Sequence, residues 1–209
     1  VNTGTHACIG LQLQINLFRD YLKSGDIVLL IPEYDQYCSY KLFSGAIDES
    51  MLRIMLSNYP RGLGKLTFEQ WKMVIPFLPQ YISKAFTHSP VPAYSPYSIT
   101  SINEYGDVTN WDCRRAVFQD NPSLNPLLAD AHPDILSFIQ DFATQCQENN
   151  ILLLFFPPAI ARSESEQITN YMYTLDTVMQ NNSTPFCVKP ERYILPDSLF
   201  FDTYYHMVY

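Results

Sequence analysis

No run of lysine and arginine interrupts this sequence, no apolar stretch approaches the thickness of a bilayer, and no two cysteines stand at CxxC spacing. Each absence removes a class of function. With 13 basic against 21 acidic residues the formal charge is −8, which leaves nothing to track a phosphate backbone, so nucleic acid is not an expected partner. The longest apolar runs, IVLLIP at 27–32 and ILLLFFPP at 151–158, fall well short of the roughly 20 residues that cross a membrane, so no membrane span is expected in these residues. No signal peptide, internal repeat, heptad run or low-complexity tract is visible. The five cysteines (Cys8, Cys38, Cys113, Cys146, Cys187) are an odd number without zinc-finger spacing. They read as small buried hydrophobes, with one disulfide left open for an exported protein. Neither a metal nor a cofactor is expected.

What is present suits a folded domain. The 209 residues are 47 % hydrophobic and 14 % aromatic, enough for one α/β domain that buries about 70 % of its unfolded surface. The first residue is Val1 rather than Met, and VNTG reads as the end of a strand entering a loop. The expectation is an excised piece, with at least one further strand and any targeting segment upstream.

Along the chain, Ile9, Leu11, Ile15, Phe18 and Leu22 recur at near-helical spacing, which predicts an amphipathic helix of about four turns starting near Thr5 or His6. A turn at SGD leads to IVLLIPEY, an unbroken apolar run of the kind a parallel strand shows when both of its faces are covered. The same rhythm returns later. Asp130 is the expected cap of a helix with Pro133 in its first turn and Ile135, Phe138, Ile139, Phe142 and Cys146 on one stripe, ended by Asn149-Asn150. ILLLFF is the next buried strand, SESEQ starts a helix carrying Ile168, Met172, Leu175 and Met179, and PFCV is a short last strand. Alternation of this kind predicts a three-layer α/β/α sandwich around a mostly parallel sheet. Residues 38–128 break the rhythm, with helices expected at 49–57 and 67–85, and read as an aromatic, proline-rich insert within a single domain spanning 1–209.

Ligands of open α/β sheets sit beyond the carboxyl ends of the strands, which singles out four segments. NTGTHACIG leads into a helix N-terminus whose free N–H groups suit an anion or oxyanion; equally, it is a plain strand-to-helix turn at Gly4, with Asn2 beside it and His6 a polar cap. PEY puts Glu33 and Tyr34 at the end of a buried strand, where they either line a crevice or mark a solvated strand end. Arg162, after PPAIA, is positioned to bind a carboxylate or phosphate, or to face solvent. In FFDTYYH, Asp202 and His206 stand four apart, the spacing that puts them on one helical face as an acid–imidazole dyad or as ordinary helix residues. A metal reading through His6, Glu33, Asp202 and His206 lacks any HxxxH or HxH spacing.

Four pieces in this order, NTGTHACIGL, GDIVLLIPEYDQY, NEYGD at 103–107 and DTYYH, resemble the SGNH/GDSL hydrolase superfamily, and more closely a little-characterised bacterial branch of it. The resemblance covers both ends of the chain and part of the insert. It implies an α/β sandwich in which a Ser after the first strand attacks an ester carbonyl, a Gly and an Asn donate to the oxyanion, and an Asp and a His complete a triad. On the matching positions it makes His206 the base, Asp202 its orienting acid and Gly4 an oxyanion donor, with Asn2, His6, Glu33, Tyr34 and Arg162 as possible lining. The chain departs from the pattern in three ways. The Ser block is not in these residues, PEYD stands where a Gly-x-Asn-Asp-like block is usual, and Asp202 and His206 are four apart rather than three.

The resemblance therefore implies an esterase or O-acyltransferase acting on an acylated small molecule or polysaccharide. Its family analogues are the alginate acetylation proteins and the D-alanyl transfer protein of teichoic acids, which points to the cell envelope or periplasm. The aromatic insert would stack on sugar rings or simply fill a core. The alternative is a non-catalytic module of the same fold that binds a glycan or a partner protein.

Overall fold

The computed structural model describes residues 10–37, 60–66, 68–79, 82–83, 103–105 and 130–200. The chain divides into two compact units, one formed by Val1–Asp20 with Tyr40–Trp111 and the other by Tyr21–Ser39 with Asp112–Tyr209.

In the first unit, helix α1 (Leu11–Phe18) follows Gly10, whose φ of +73° is open to glycine and costly for other residues. The Gly10 carbonyl accepts the N–H of Gln14 at 3.0 Å and so begins the helical ladder. Leu11 and Ile15 are buried as the apolar stripe predicts, joined by Leu13 and Asn16. The predicted start at Thr5 or His6 lies outside the described residues, as does the predicted helix at 49–57. Helix α2 (Phe68–Val74) forms within the predicted 67–85 segment and passes into a 3-10 turn at Ile75–Phe77. Pro76 explains the change, since it lacks the N–H that would continue the α-helical ladder.

The second unit is α/β. Strand β1 (Ile27–Leu30) pairs in parallel with β2 (Leu152–Phe155), in register from Ile27 opposite Leu152 to Leu30 opposite Phe155. The turns leading into the two strands are joined: the Gly25 N–H donates to the Asn150 carbonyl at 2.9 Å, and Asn150 Nδ2 donates to Ser24 Oγ at 3.2 Å. Gly25 (φ +92°) and Asn150 (φ +56°) both take the left-handed backbone these turns require. Helix α3 (Pro133–Glu148) packs on β2 and buries Ile135, Ile139, Phe142 and Cys146. Helix α4 (Arg162–Asn181) buries Ile168, Met172, Leu175 and Met179 and packs on a second parallel pair, β3 (Ile160–Ala161) with β4 (Ile194–Leu195).

Three expectations are corrected. The cap of α3 is His132, not Asp130: His132 Nδ1 accepts the Asp134 N–H at 3.3 Å. Pro133 sets this boundary, because the residue before a proline is held in extended backbone, here at φ −76° and ψ 131°. The PFCV segment contributes one parallel bridge, Phe186 to Phe155, with the Cys187 N–H bonded to the Phe155 carbonyl at 2.7 Å, while the last strand forms eight residues later at Ile194. Finally, β1 is covered on one face. Val28 and Leu30 are buried at 7 % exposure each, whereas Ile27, Leu29 and Ile31 on the opposite face are 68, 53 and 49 % exposed.

Candidate functional site

The carboxyl end of β1 delivers Pro32 and Glu33 into a 3-10 turn, Tyr34–Tyr37, and this turn is pinned from several sides. The Tyr34 carbonyl accepts the Tyr171 hydroxyl of α4 at 3.2 Å, and the Tyr37 carbonyl accepts the His132 N–H at the start of α3 at 2.8 Å. Ring contacts repeat the pattern. Tyr34 meets Tyr171 edge to face at 6.1 Å between centroids, and Tyr37 meets Phe186 in the same way at 6.3 Å. Both tyrosines are fully buried, Gln36 between them is buried, and Glu33 at the mouth of the turn is half-buried.

Burial governs the chemistry of these phenols. Each is pushed above the ordinary tyrosine range, Tyr34 by desolvation first and then by the carboxylates of Glu191 and Asp176, Tyr37 by desolvation and then by Tyr34. They stay protonated across physiological pH and do not act as bases there. The Tyr37 hydroxyl has no hydrogen-bond partner among the described residues, an uncommon state for a buried phenol.

Arg162 opens helix α4 and is exposed. The preceding residue, Ala161, has no side-chain oxygen with which to cap the helix. The cap comes from Asp197, 34 positions away, whose Oδ1 accepts the Ser163 N–H at 3.0 Å. A carboxylate of the protein thus already satisfies one of the N–H groups at this terminus. Further along α4, Asp176 is buried and takes Lys189 Nζ at 2.6 Å and Gln180 Nε2 at 2.9 Å. Lys189 is shifted upward by its hydrogen bond to Asp176 and by the charge of that carboxylate.

Glu33, Tyr34 and Arg162 are therefore all placed just beyond strand ends, the first two after β1 and the last after β3. Asn2, Gly4, His6, Asp202 and His206 lie outside the described residues. Of the NEYGD piece, Asn103–Tyr105 forms an Asx turn in which the Tyr105 N–H donates to Asn103 Oδ1 at 2.9 Å. Among the described residues no group of His, Cys, Asp and Glu could hold a metal ion, and no helix is long and apolar enough to cross a membrane.

The polar positions that single-position reading passes over are Tyr37, Glu164, Asp176 and Asp197. Asp176 carries a usable signal, since it falls on the stripe of Met172, Leu175 and Met179, where a carboxylate must be paired. Asp197 carries none, because its partner is remote in sequence. Compared with known proteins, the chain matches no family model, no curated protein and no solved structure.

Proposed function

We propose that this chain is the greater part of an SGNH-like ester hydrolase or O-acyltransferase, a three-layer α/β/α sandwich whose nucleophilic Ser is carried by a strand outside these 209 residues. The open side of β1 carries this reading. The ladder to β2 runs from Leu152 N–H to the Asp26 carbonyl and ends at Phe156 N–H to the Leu30 carbonyl, so the even-numbered residues of β1 face β2. By the same alternation the backbone groups of Ile27, Leu29 and Ile31 point to the opposite edge, and among the described residues no strand pairs there. Their side chains, with Leu152, form the exposed apolar face. A further parallel strand on that edge and a helical layer over that face would complete the sandwich, and would bring a Ser beside the Glu33–Tyr37 turn.

In this reading His206 is the general base, Asp202 orients it and Gly4 donates to the oxyanion. Each oxyanion donor contributes about 3 kcal/mol to the transition state, and the base contributes a factor of about 10²–10⁴. Glu33 and Tyr34 stand in the neighbourhood of the missing Asn donor. Arg162 is available at the site margin for an acidic acceptor, and the substrate is an acylated small molecule or an envelope polysaccharide. The test is hydrolysis of p-nitrophenyl acetate by the full-length protein and by its His206→Ala variant. A loss of at least about 10² is expected; equal rates would remove His206 from catalysis.

The buried state of Tyr34 favours a second reading. A phenol held between α4 and the core does not reach an oxyanion, so the third block lacks a donor, as in a module that keeps the fold and binds a glycan or protein without turning it over. Retained glycan binding with no turnover in either protein would select it.

A further inference from the structure

Among the described residues between 60 and 83, three large apolar side chains face solvent. Phe68 and Ile75, seven residues apart and so on one side of the helical stretch, are 76 % and 54 % exposed, and Ile82, seven further on, is 51 % exposed. Trp71 and Leu78 are half-buried beside them, while Val74 is fully buried and anchors the segment on its other side. Exposed large hydrophobics concentrated in this way call for an occupant.

Charge identifies the occupant. From 60 to 84 the sequence holds four of the chain's 13 basic residues (Arg61, Lys65, Lys72, Lys84) and one of its 21 acidic ones, Glu69. The most basic stretch of an acidic chain coincides with its aromatic, apolar stripe. Arg61 and Lys72 are exposed, and Lys72 Nζ lies 5.3 Å from the centroid of the Phe68 ring, so cation and apolar group are presented side by side. A partner helix fits poorly, because the change to a 3-10 turn at Ile75–Phe77 breaks the regular repeat that knobs-into-holes packing needs. A lipid interface imposes no such register, and it accepts Phe, Trp and Ile at acyl depth with Lys and Arg among the headgroups.

We infer that the stretch built on the 3-10 turn Pro60–Lys65 and helix α2 with its following turn to Phe77 forms an in-plane docking surface for an anionic lipid bilayer, with Phe68, Trp71 and Ile75 inserted at the acyl boundary and Arg61 and Lys72 against lipid phosphates. This attachment is peripheral and reversible, and independent of any hydrolase activity. It predicts co-flotation of the protein with vesicles of equimolar phosphatidylcholine and phosphatidylglycerol at low salt, and markedly weaker flotation with phosphatidylcholine alone. Phe68→Ser with Ile75→Ser should weaken binding by about tenfold or more, and Lys72→Gln by about fivefold, with the effect of Lys72 fading at high salt. These positions are exposed, so the variants should keep the parent's circular dichroism and melting temperature. Equal flotation with both lipid compositions, or binding unchanged in the double variant, would overturn the inference. So would self-association of the parent that the double variant loses, without vesicle binding, since that would assign the stripe to a second copy.

Discussion

Cys146 shows how far a single residue's environment sets its chemistry. It stands in the last turns of α3 at 1 % exposure, and burial pushes its thiol from 9.0 up to about 11. Cys187, whose N–H donates to the Phe155 carbonyl of β2, is exposed. In the native protein at pH 8, iodoacetamide should label Cys187 within minutes and Cys146 only after unfolding, which peptide mapping by mass spectrometry would check. The unfolded thiol ionises near 9 and the folded one near 11, so the stability gained by keeping it neutral is complete below about 9 and is lost between about 9 and 11. The stability difference between the parent and Cys146→Ala should therefore shrink from pH 8 to pH 10.5. A constant difference would mean that the thiol is not desolvated. Reading Cys146 as a buried hydrophobe was possible because it closes the stripe of Ile135, Ile139 and Phe142. For Tyr34 no pattern of that kind exists: PEY suits a crevice as well as a solvated strand end, and the tertiary contacts, that with Tyr171 among them, bury it instead.

At the scale of elements, helical stripes made α3 and α4 legible and unbroken apolar runs made β1 and β2 legible, with Pro, Gly or Asn marking their bounds. The pair β3 and β4 was not legible, because strands of two residues are too short to display alternation. Caps divide in the same way. His132 could have been found from Pro133, but the Asp197 cap of α4 depends on tertiary structure. That cap gives a prediction. Asp197→Ala should destabilise the protein by about 1 kcal/mol, while Asp197→Asn, which keeps the accepting oxygen, should cost only a few tenths. Chemical denaturation of the two variants distinguishes a hydrogen-bonded cap from a charge effect. An equal loss in both would point to the charge.

For the whole molecule, the determining feature is the uncovered side of β1. A continuous apolar strand reads as one covered on both faces, whereas the structure covers one, because composition alone does not show how many neighbours a strand receives. Hydrogen exchange can test this directly. In the 209-residue chain the amides of Val28 and Leu30, bonded to β2, should be protected, while those of Ile27, Leu29 and Ile31 should exchange orders of magnitude faster, near the rate of frayed or solvent-facing groups. Adding a parallel strand at the open edge should slow all three together, because one parallel neighbour accepts every second amide of β1. The exposed apolar face has its own signature, since Ile27, Leu29, Ile31 and Leu152 offer a binding surface for hydrophobic dyes that a helical layer over that face would remove. If the odd-numbered amides prove as protected as the even-numbered ones in the chain alone, the edge is already occupied, and a Ser-bearing strand would have to enter the sheet elsewhere.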